Sequence, residues 1–144
     1  MCIYFKKLTK LRKDINILLS KRKKKPNKEQ KIMIDFINGQ TKYALFEINS
    51  KKIYLYRGDE KKGFEHILLR HYDCNGCNGE LTASDIINLI VTYKKGIKLN
   101  KEGVSNSNLT VYQSIKGMSR HKLVLKEKEK DSFVITYYSI GWWK

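Results

Sequence analysis

Three runs in the last third of the chain decide the fold: LTVYQSI at residues 109–115, KLVLK at 122–126 and SFVITYYSI at 132–140. Each run is rich in β-branched and aromatic side chains, which is the composition of strands. Because the runs follow one another along the chain, they predict neighbouring strands of an antiparallel sheet. Upstream, Lys42–Ile48 and Lys52–Arg57 share this composition and flank Asn49-Ser50, so they predict a β-hairpin.

Helical periodicity marks the segments around these strands. From Tyr4 to Ser20, apolar side chains recur every three or four residues, which predicts an amphipathic helix with a basic opposite face. Gly63–Tyr72 predicts a short helix, and Thr82 begins a longer one that ends near Gly96. The predicted fold class is therefore α+β, with helices packed on a small antiparallel sheet and preceded by a basic N-terminal helix.

A basic block separates the first helix from the rest. Lys21–Lys25 presents five adjacent like charges and is followed by Pro26, a pattern typical of a solvated linker or a polyanion contact. The sequence therefore predicts two parts, a basic helix with its linker at residues 1–30 and an α+β domain at 31–144.

The charge balance restricts the partners. Thirty Lys and Arg against fourteen Asp and Glu give a formal net charge of +16. Self-repulsion of this size opposes compaction, so it favours a polyanionic partner, most commonly nucleic acid. The alternatives are an anionic membrane surface contacted through Tyr4–Ser20, or a lysine-rich surface with no partner at all.

The cysteines and the hydropathy exclude other classes. Cys2, Cys74 and Cys77 are too few and odd in number for a disulfide framework, which favours a reducing compartment. No run reaches the roughly 20 apolar residues of a membrane span, and nothing resembles an export signal. We therefore expect no transmembrane segment and a cytoplasmic site of action.

A zinc site is the main metal alternative. His71, Cys74 and Cys77 have the spacing of half a site, but only Cys2 or His121 could complete it, and neither has the usual paired spacing. Two free thiols in a Gly-Asn loop are the favoured interpretation, so we predict neither a metal nor another cofactor.

The three histidines lie in chemically suggestive surroundings. His66 and Arg70 are four residues apart, so both can project from one face of the short helix, with His71 about a quarter-turn further round. His121 follows Arg120. Metal-independent RNA cleavage needs a base for the 2′-hydroxyl, an acid for the leaving 5′-oxygen and a cation for the phosphorane charge. His and Arg supply these roles, although His66 and His71 could simply cap and pack the helix.

The segment 63-GFEHILLRH-71 resembles the helix that carries the signature histidines of the barnase, EndoU, colicin D and RelE-like nuclease group, especially its phage and polymorphic-toxin branches. In that group a hairpin precedes this helix, and a terminal antiparallel sheet carries a hydroxyl-bearing residue that faces the histidine. Thr136 and Tyr138 occupy the matching place. The resemblance covers about Tyr43 to Gly141, but a Cys-Asn-Gly-Cys loop replaces the proline that often follows the second histidine in phage members.

The resemblance implies a function and a set of site residues. The function is a toxin-type, metal-independent ribonuclease that cleaves tRNA or another structured RNA by 2′-hydroxyl transesterification. It would be held in check by an acidic immunity protein or antitoxin, and could be delivered into target cells as part of a larger toxin. The implied catalytic residues are His66, His71 and Thr136, and the implied RNA-binding residues are Arg70, Lys122, Tyr138 and Arg120.

A non-enzymatic RNA- or DNA-binding module is the alternative function. It needs the charge and the aromatic side chains, but no histidine chemistry. A pH–rate profile with ionisations near neutrality would favour the enzyme, and salt-dependent binding without turnover would favour the module.

Overall fold

A computed structural model describes residues 3–22, 24–77, 79–99, 109–116 and 119–141 of the chain. The fold is α+β, as the sequence predicted. The helices in the described part are α1 (Ile3–Ser20), α2 (Lys28–Ile37), α3 (Phe64–His71), α4 (Ala83–Ile87) and α5 (Leu89–Lys95). The strands there are β1 (Tyr43–Ile48), β2 (Lys51–Tyr56), β3 (Ile97–Lys98), β4 (Leu109–Lys116), β5 (Ser119–Lys128) and β6 (Asp131–Gly141).

The strands form one sheet in the order β1-β2-β6-β5-β4-β3. Neighbouring strands are antiparallel except β2 and β6, which pair in parallel with Ile53 opposite Ser132. The predicted hairpin is confirmed as β1 and β2, and the three C-terminal runs are confirmed as β4, β5 and β6. The parallel pair joins the hairpin to the C-terminal strands, so the two halves of the chain share one sheet.

The sheet has a core face and an outer face. Directly opposite residues share a face, and successive residues alternate between faces. On the core face, Leu123 lies opposite Tyr137, and both are buried in the hydrophobic core. On the outer face, Lys122 lies opposite Tyr138, and Val124 lies opposite Thr136. The outer face therefore carries the two β6 residues that the resemblance assigned to the site.

Helix α1 belongs to the same core as the rest of the protein. Its apolar stripe, buried as the periodicity predicted, consists of Tyr4, Leu8, Leu11 and Ile15. Lys7 Nζ also donates to the Leu69 carbonyl at 3.0 Å, and Arg12 Nε donates to the Ile37 carbonyl at 2.8 Å. The sequence predicted a boundary after residue 30, whereas α1 packs into the core of the domain. The basic residues of α1 lie on the side that points away from this core, so they do not oppose the packing.

The structure adds one helix, α2, to those that the sequence predicted, and it interrupts another. Helix α2 begins at a capping box in which Asn27 and Gln30 each accept from the other's backbone N–H. The helix predicted from Thr82 is interrupted at Asn88, whose side chain donates to the Ser84 carbonyl and accepts from the buried Gln30 amide. Residues 100–108, between β3 and β4, lie outside the described residues. None of the described helices has the length and apolarity to cross a lipid bilayer.

Candidate active site

Helix α3 is fixed by the glycine that precedes it. Gly63 has φ +88°, and its N–H donates to the Ile135 carbonyl of β6 at 2.9 Å. A Cβ there would lie 3.0 Å from the Tyr56 carbonyl oxygen, so the close approach needs glycine. The start of α3 is thereby tied to both β2 and β6. Its apolar residues Phe64, Ile67 and Leu68 are buried, which turns His66 and His71 towards the edge of β6.

Four predicted site residues line one pocket. His66 and His71 from α3 and Thr136 and Tyr138 from β6 surround a cavity of about 500 Å³. The imidazole ring centres of His66 and His71 lie 5.7 Å apart, with the ring planes at 79°. The remaining described residues that line the cavity are Gly79, Ser139 and Ile140. The structure therefore brings two potential proton-transfer groups to one small cavity.

A backbone contact orients His66. Its Nδ1 lies 2.9 Å from the Glu60 carbonyl oxygen. A carbonyl can only accept, so Nδ1 carries the proton in this hydrogen bond. The neutral ring therefore has its lone pair on Nε2. This is the tautomer that a general base needs when its second nitrogen faces a substrate.

His71 is held against the sheet by Tyr138. The two rings are stacked, with centres 5.4 Å apart and planes at 27°. Burial raises the pKa of the Tyr138 hydroxyl above its ordinary value, so it remains a donor at neutral pH. Gly79, with φ +76°, covers the contact: a Cβ there would lie 2.9 Å from both His71 Nδ1 and Tyr138 Cβ. Only glycine fits this position without moving the imidazole.

The loop after α3 returns to β6. Cys74 and Cys77 are joined in a disulfide, so the prediction of two free thiols is wrong. The Glu80 carboxylate accepts from the Cys74 and Gly76 backbone N–H groups at 3.3 Å each, which folds the loop back on itself. Ser139 Oγ then donates to the Glu80 carbonyl at 2.5 Å. This loop places Gly79 over His71.

The Thr136 hydroxyl is buried and unsatisfied. Its Oγ1 has no hydrogen-bond partner among the described residues, although it lines the pocket. A buried unpaired hydroxyl costs about 1–3 kcal/mol, so such atoms in native proteins call for an explanation. Because Oγ1 itself has almost no accessible surface, a ligand in the pocket would supply the missing partner only after the Thr136 side chain rotates.

The predicted cations are placed differently from one another. Lys122 lies opposite Tyr138 and Arg120 lies opposite Ile140, so both project from the outer face on the strand beside the pocket. The Arg70 side chain is on the solvent-exposed face of α3 and does not contribute to the cavity. The cavity is therefore lined by His66 together with His71.

The third histidine lies in a separate pocket on the core face. His121 is 4% exposed, and its Nε2 donates to Asp85 Oδ1 at 3.0 Å. Burial opposes ionisation of Asp85, but the hydrogen bonds from His121 and Thr82 outweigh it and lower the pKa of this carboxyl below its usual value. Tyr137 stacks on the His121 ring, with the ring centres 5.8 Å apart. His121 therefore belongs to the packing of α4 on the sheet.

The described residues include no group of three or more His, Cys, Asp or Glu placed to hold a metal ion. The zinc alternative loses two of its thiolates to the disulfide, and His121 contacts Asp85 instead. Cys2, the other candidate ligand, lies outside the described residues.

Three residues that shape the pocket were not predicted from the sequence: Glu60, Gly79 and Ser139. The Glu60 carbonyl orients His66 through its backbone, so no side-chain signal marks it. Gly79 and Ser139 act through close packing and a loop contact. Only Gly79 had a usable signal, since glycine in a polar loop often marks a positive φ.

No protein-family model matches this sequence, and no curated protein matches it either.

Proposed function

We propose that this protein is a metal-independent endoribonuclease. The observation that carries the proposal is the convergence of His66 and His71 with Thr136 and Tyr138 on one cavity, in a chain with a net charge of +16. Imidazoles exchange protons near neutral pH, and two of them within 5.7 Å can serve one phosphodiester. The pocket thus has the donors and acceptors that 2′-hydroxyl transesterification requires.

The reaction can be written with these residues. His66 Nε2 takes the proton of the 2′-hydroxyl, and the 2′-oxygen attacks the adjacent phosphorus. The bond from phosphorus to the 5′-oxygen breaks, and His71 gives its proton to that leaving oxygen. The products are a 2′,3′-cyclic phosphate and a free 5′-hydroxyl. The hydrogen bond from His66 Nδ1 to the Glu60 carbonyl favours His66 as the base, because it leaves the lone pair on Nε2.

The hydroxyls and cations supply the electrostatic part. The Tyr138 hydroxyl, and Thr136 Oγ1 once its side chain rotates towards the cavity, are donors for the phosphate oxygens, whose negative charge grows as the phosphorane forms. Arg120 and Lys122, on the adjacent strand, add positive charge on the same face. Arg70 stays an exposed cation for the RNA backbone outside the cavity.

The proposed biological setting follows from the resemblance and the charge. The substrate would be tRNA or another structured RNA, and the protein would act as a toxin in the cytoplasm of its target. An acidic immunity protein or antitoxin would be its protein partner, because a basic surface of this size docks electrostatically with an acidic one.

The test is incubation of the purified protein with total bacterial RNA in EDTA, followed by a denaturing gel. We expect discrete cleavage that persists in EDTA and that His66→Ala and His71→Ala both abolish. Lys13→Ala is the control, because it removes an exposed charge from α1 that does not line the pocket. It should cleave like the wild type.

Two results would contradict the proposal. Intact RNA at high protein concentration would leave a binding module as the better function. Cleavage at the wild-type rate by both histidine variants would show that the catalytic group lies elsewhere.

A further inference from the structure

We infer that the outer face beside the pocket stacks unpaired nucleobases of the RNA that flank the cleaved bond. The inference rests on the proposed function, and it adds the substrate feature that the enzyme recognises: a single-stranded segment. It is carried by a cluster of aromatic rings and lysines that the histidine chemistry does not use. The aromatic cluster is defined by Tyr43, Tyr54, Tyr56 and Phe133.

Three of these rings share almost one orientation. Tyr54 and Tyr56 lie 5.9 Å apart with planes at 12°, and Phe133 lies 5.5 Å from Tyr54 with planes at 20°. Because Tyr54 pairs with Phe133 across the parallel β2–β6 ladder, the two rings are neighbours on the outer face and stack on each other. Tyr43 and Tyr56 remain 40% and 43% exposed. Large aromatic rings left this open offer flat surface to a partner that also has flat rings.

The groove next to these rings is basic. It has a volume of about 240 Å³ and runs between the aromatic cluster and the loop before α3. Lys62, Lys126 and Lys128 line it, and no carboxylate side chain is among the described residues that do so. Lys128 Nζ also lies 6.0 Å from the centre of the Phe133 ring. Stacking surface next to concentrated positive charge matches a single-stranded polyanion better than an apolar protein segment.

The groove and the histidine pocket are separate cavities, but consecutive residues of β6 line them. Ile135 lines the groove, and Thr136, the next residue, lines the pocket. Gly63 lies in the groove wall and begins the helix that carries His66. Along β6, Phe133 lies about 10 Å from Thr136 by the rise of a strand. A strand of RNA with its cleaved phosphate in the pocket can therefore reach the aromatic cluster with its flanking bases.

The stacking geometry also selects against duplex. Paired bases are stacked on one another and present only their edges, so they cannot lie on Tyr54, Tyr56 or Phe133. The substrate segment is accordingly an unpaired loop, bulge or end of a folded RNA.

The experiment measures binding without cleavage. The probe is a fluorescein-labelled 2′-O-methyl oligonucleotide of about ten nucleotides, which lacks the attacking hydroxyl, used single-stranded or annealed to its complement. Anisotropy titrations compare the wild type with Tyr56→Leu, the double variant Tyr54→Leu/Tyr56→Leu, and Tyr56→Phe. Leucine keeps apolar surface but removes the ring, and phenylalanine keeps the ring.

We expect the wild type to bind the single strand about 10-fold more tightly than the duplex. Tyr56→Leu should weaken single-strand binding about 10-fold, the double variant more, and neither should change duplex binding. Tyr56→Phe should bind like the wild type. Phe5→Leu, which alters an exposed aromatic ring on α1, is the matched control and should have no effect. Lys126→Ala should instead reduce the slope of the logarithm of the binding constant against the logarithm of the salt concentration by about one.

The outcomes separate the two proposals. Equal affinity for single strand and duplex, with no loss in the double variant, would overturn the stacking inference even if RNA is cleaved. Ring-dependent single-strand binding by a protein that cleaves no RNA would support the stacking inference and overturn the ribonuclease. Loss of duplex and single-strand binding alike in the double variant would show that the rings only support the fold, and circular dichroism would confirm it.

Discussion

Consecutive tyrosines on β6 stack on histidines from opposite faces of the sheet. Tyr138 packs against His71 on the outer face, and Tyr137 packs against His121 on the core face. His121 is almost fully buried and donates to a carboxylate, Asp85. His66 and His71 are only partly buried and line an open cavity. Burial with a carboxylate partner therefore distinguishes the structural histidine, His121, from the two histidines for which we propose a chemical role.

The cavity beside His121 and the cavity beside His66 and His71 also differ in whether their hydroxyl groups are paired. On the core face, the hydroxyls of Thr92 and Ser114 lie 3.1 Å apart, so each has a partner. On the outer face, the Thr136 hydroxyl has none among the described residues. A pocket whose buried hydroxyls are paired stabilises the fold, whereas an unpaired hydroxyl can still form a hydrogen bond with a ligand. The predictions below test this contrast.

The largest effect is expected on RNA cleavage. His66→Ala should lower the rate roughly 1000-fold, because it removes the proposed base, and should leave the free energy of unfolding nearly unchanged. His121→Gln should do the reverse, with activity retained in the folded protein and stability lost. Single-turnover cleavage and urea unfolding of both variants measure the contrast. A His121→Gln protein that folds normally and cleaves no RNA would reverse the assignment.

The second effect is on stability. Asp85→Asn should lower the free energy of unfolding by about 3 kcal/mol, because a neutral amide with one acceptor oxygen replaces the carboxylate that accepts from both the buried His121 and the Thr82 N–H. Asp35→Asn is the matched control, since the exposed Lys31–Asp35 pair is worth less than about 0.5 kcal/mol. Chemical denaturation measures both. Equal losses in the two variants would mean that burial adds nothing to the Asp85 contact.

The third effect is the pH dependence of that stability. The folded-state pKa of Asp85 lies below its ordinary value, so its contribution is complete above the unfolded-state pKa of about 4 and is lost as the pH falls through the folded-state pKa. The stability difference between wild type and Asp85→Asn should therefore shrink as the pH falls below about 4. A difference that grows as the pH falls through this range would contradict the sign of this linkage.

The smallest effect separates the two threonines. Thr136→Val should raise the free energy of unfolding by about 1 kcal/mol, because it replaces an unpaired buried hydroxyl with a methyl group. It should also slow RNA cleavage about 10-fold, because a phosphate donor is lost. Thr92→Val should lower stability by about 1 kcal/mol, since it strips Ser114 of its partner. Thermal unfolding and cleavage rates compare the two. Destabilisation by Thr136→Val would show that its hydroxyl is already satisfied.

Much of the fold could be predicted, because the signals are local. The hairpin β1–β2 and helix α3 lie within one or two residues of their predicted bounds, since turn residues and periodicity act over short distances. The break at Asn88 could not be predicted, because it depends on an amide contact with Gln30, far away in the sequence. The capping box before α2, by contrast, is a local pattern, because Asn27 and Gln30 are three residues apart in the sequence.

The candidate site divides in the same way. The sequence identified His66, His71, Thr136 and Tyr138 through a resemblance, and the structure brings all four to one cavity. The sequence could not show that His71 lines the cavity and Arg70 does not. The direction of each side chain depends on how α3 is rotated to bury its apolar residues. The disulfide and the position of Gly79 depend on the path of the loop, which carries no periodic signal.

The sequence by itself determined the α+β class, the strongly basic charge and the residue types available for chemistry, because composition and short-range periodicity are properties of the chain. Only the tertiary structure decided which histidine is buried. His121 and Arg120 are neighbours in the chain, yet alternation along β5 sends them to opposite faces. The parallel β2–β6 pairing then set the aromatic cluster beside the pocket, because contacts between distant segments follow from packing and leave no local pattern.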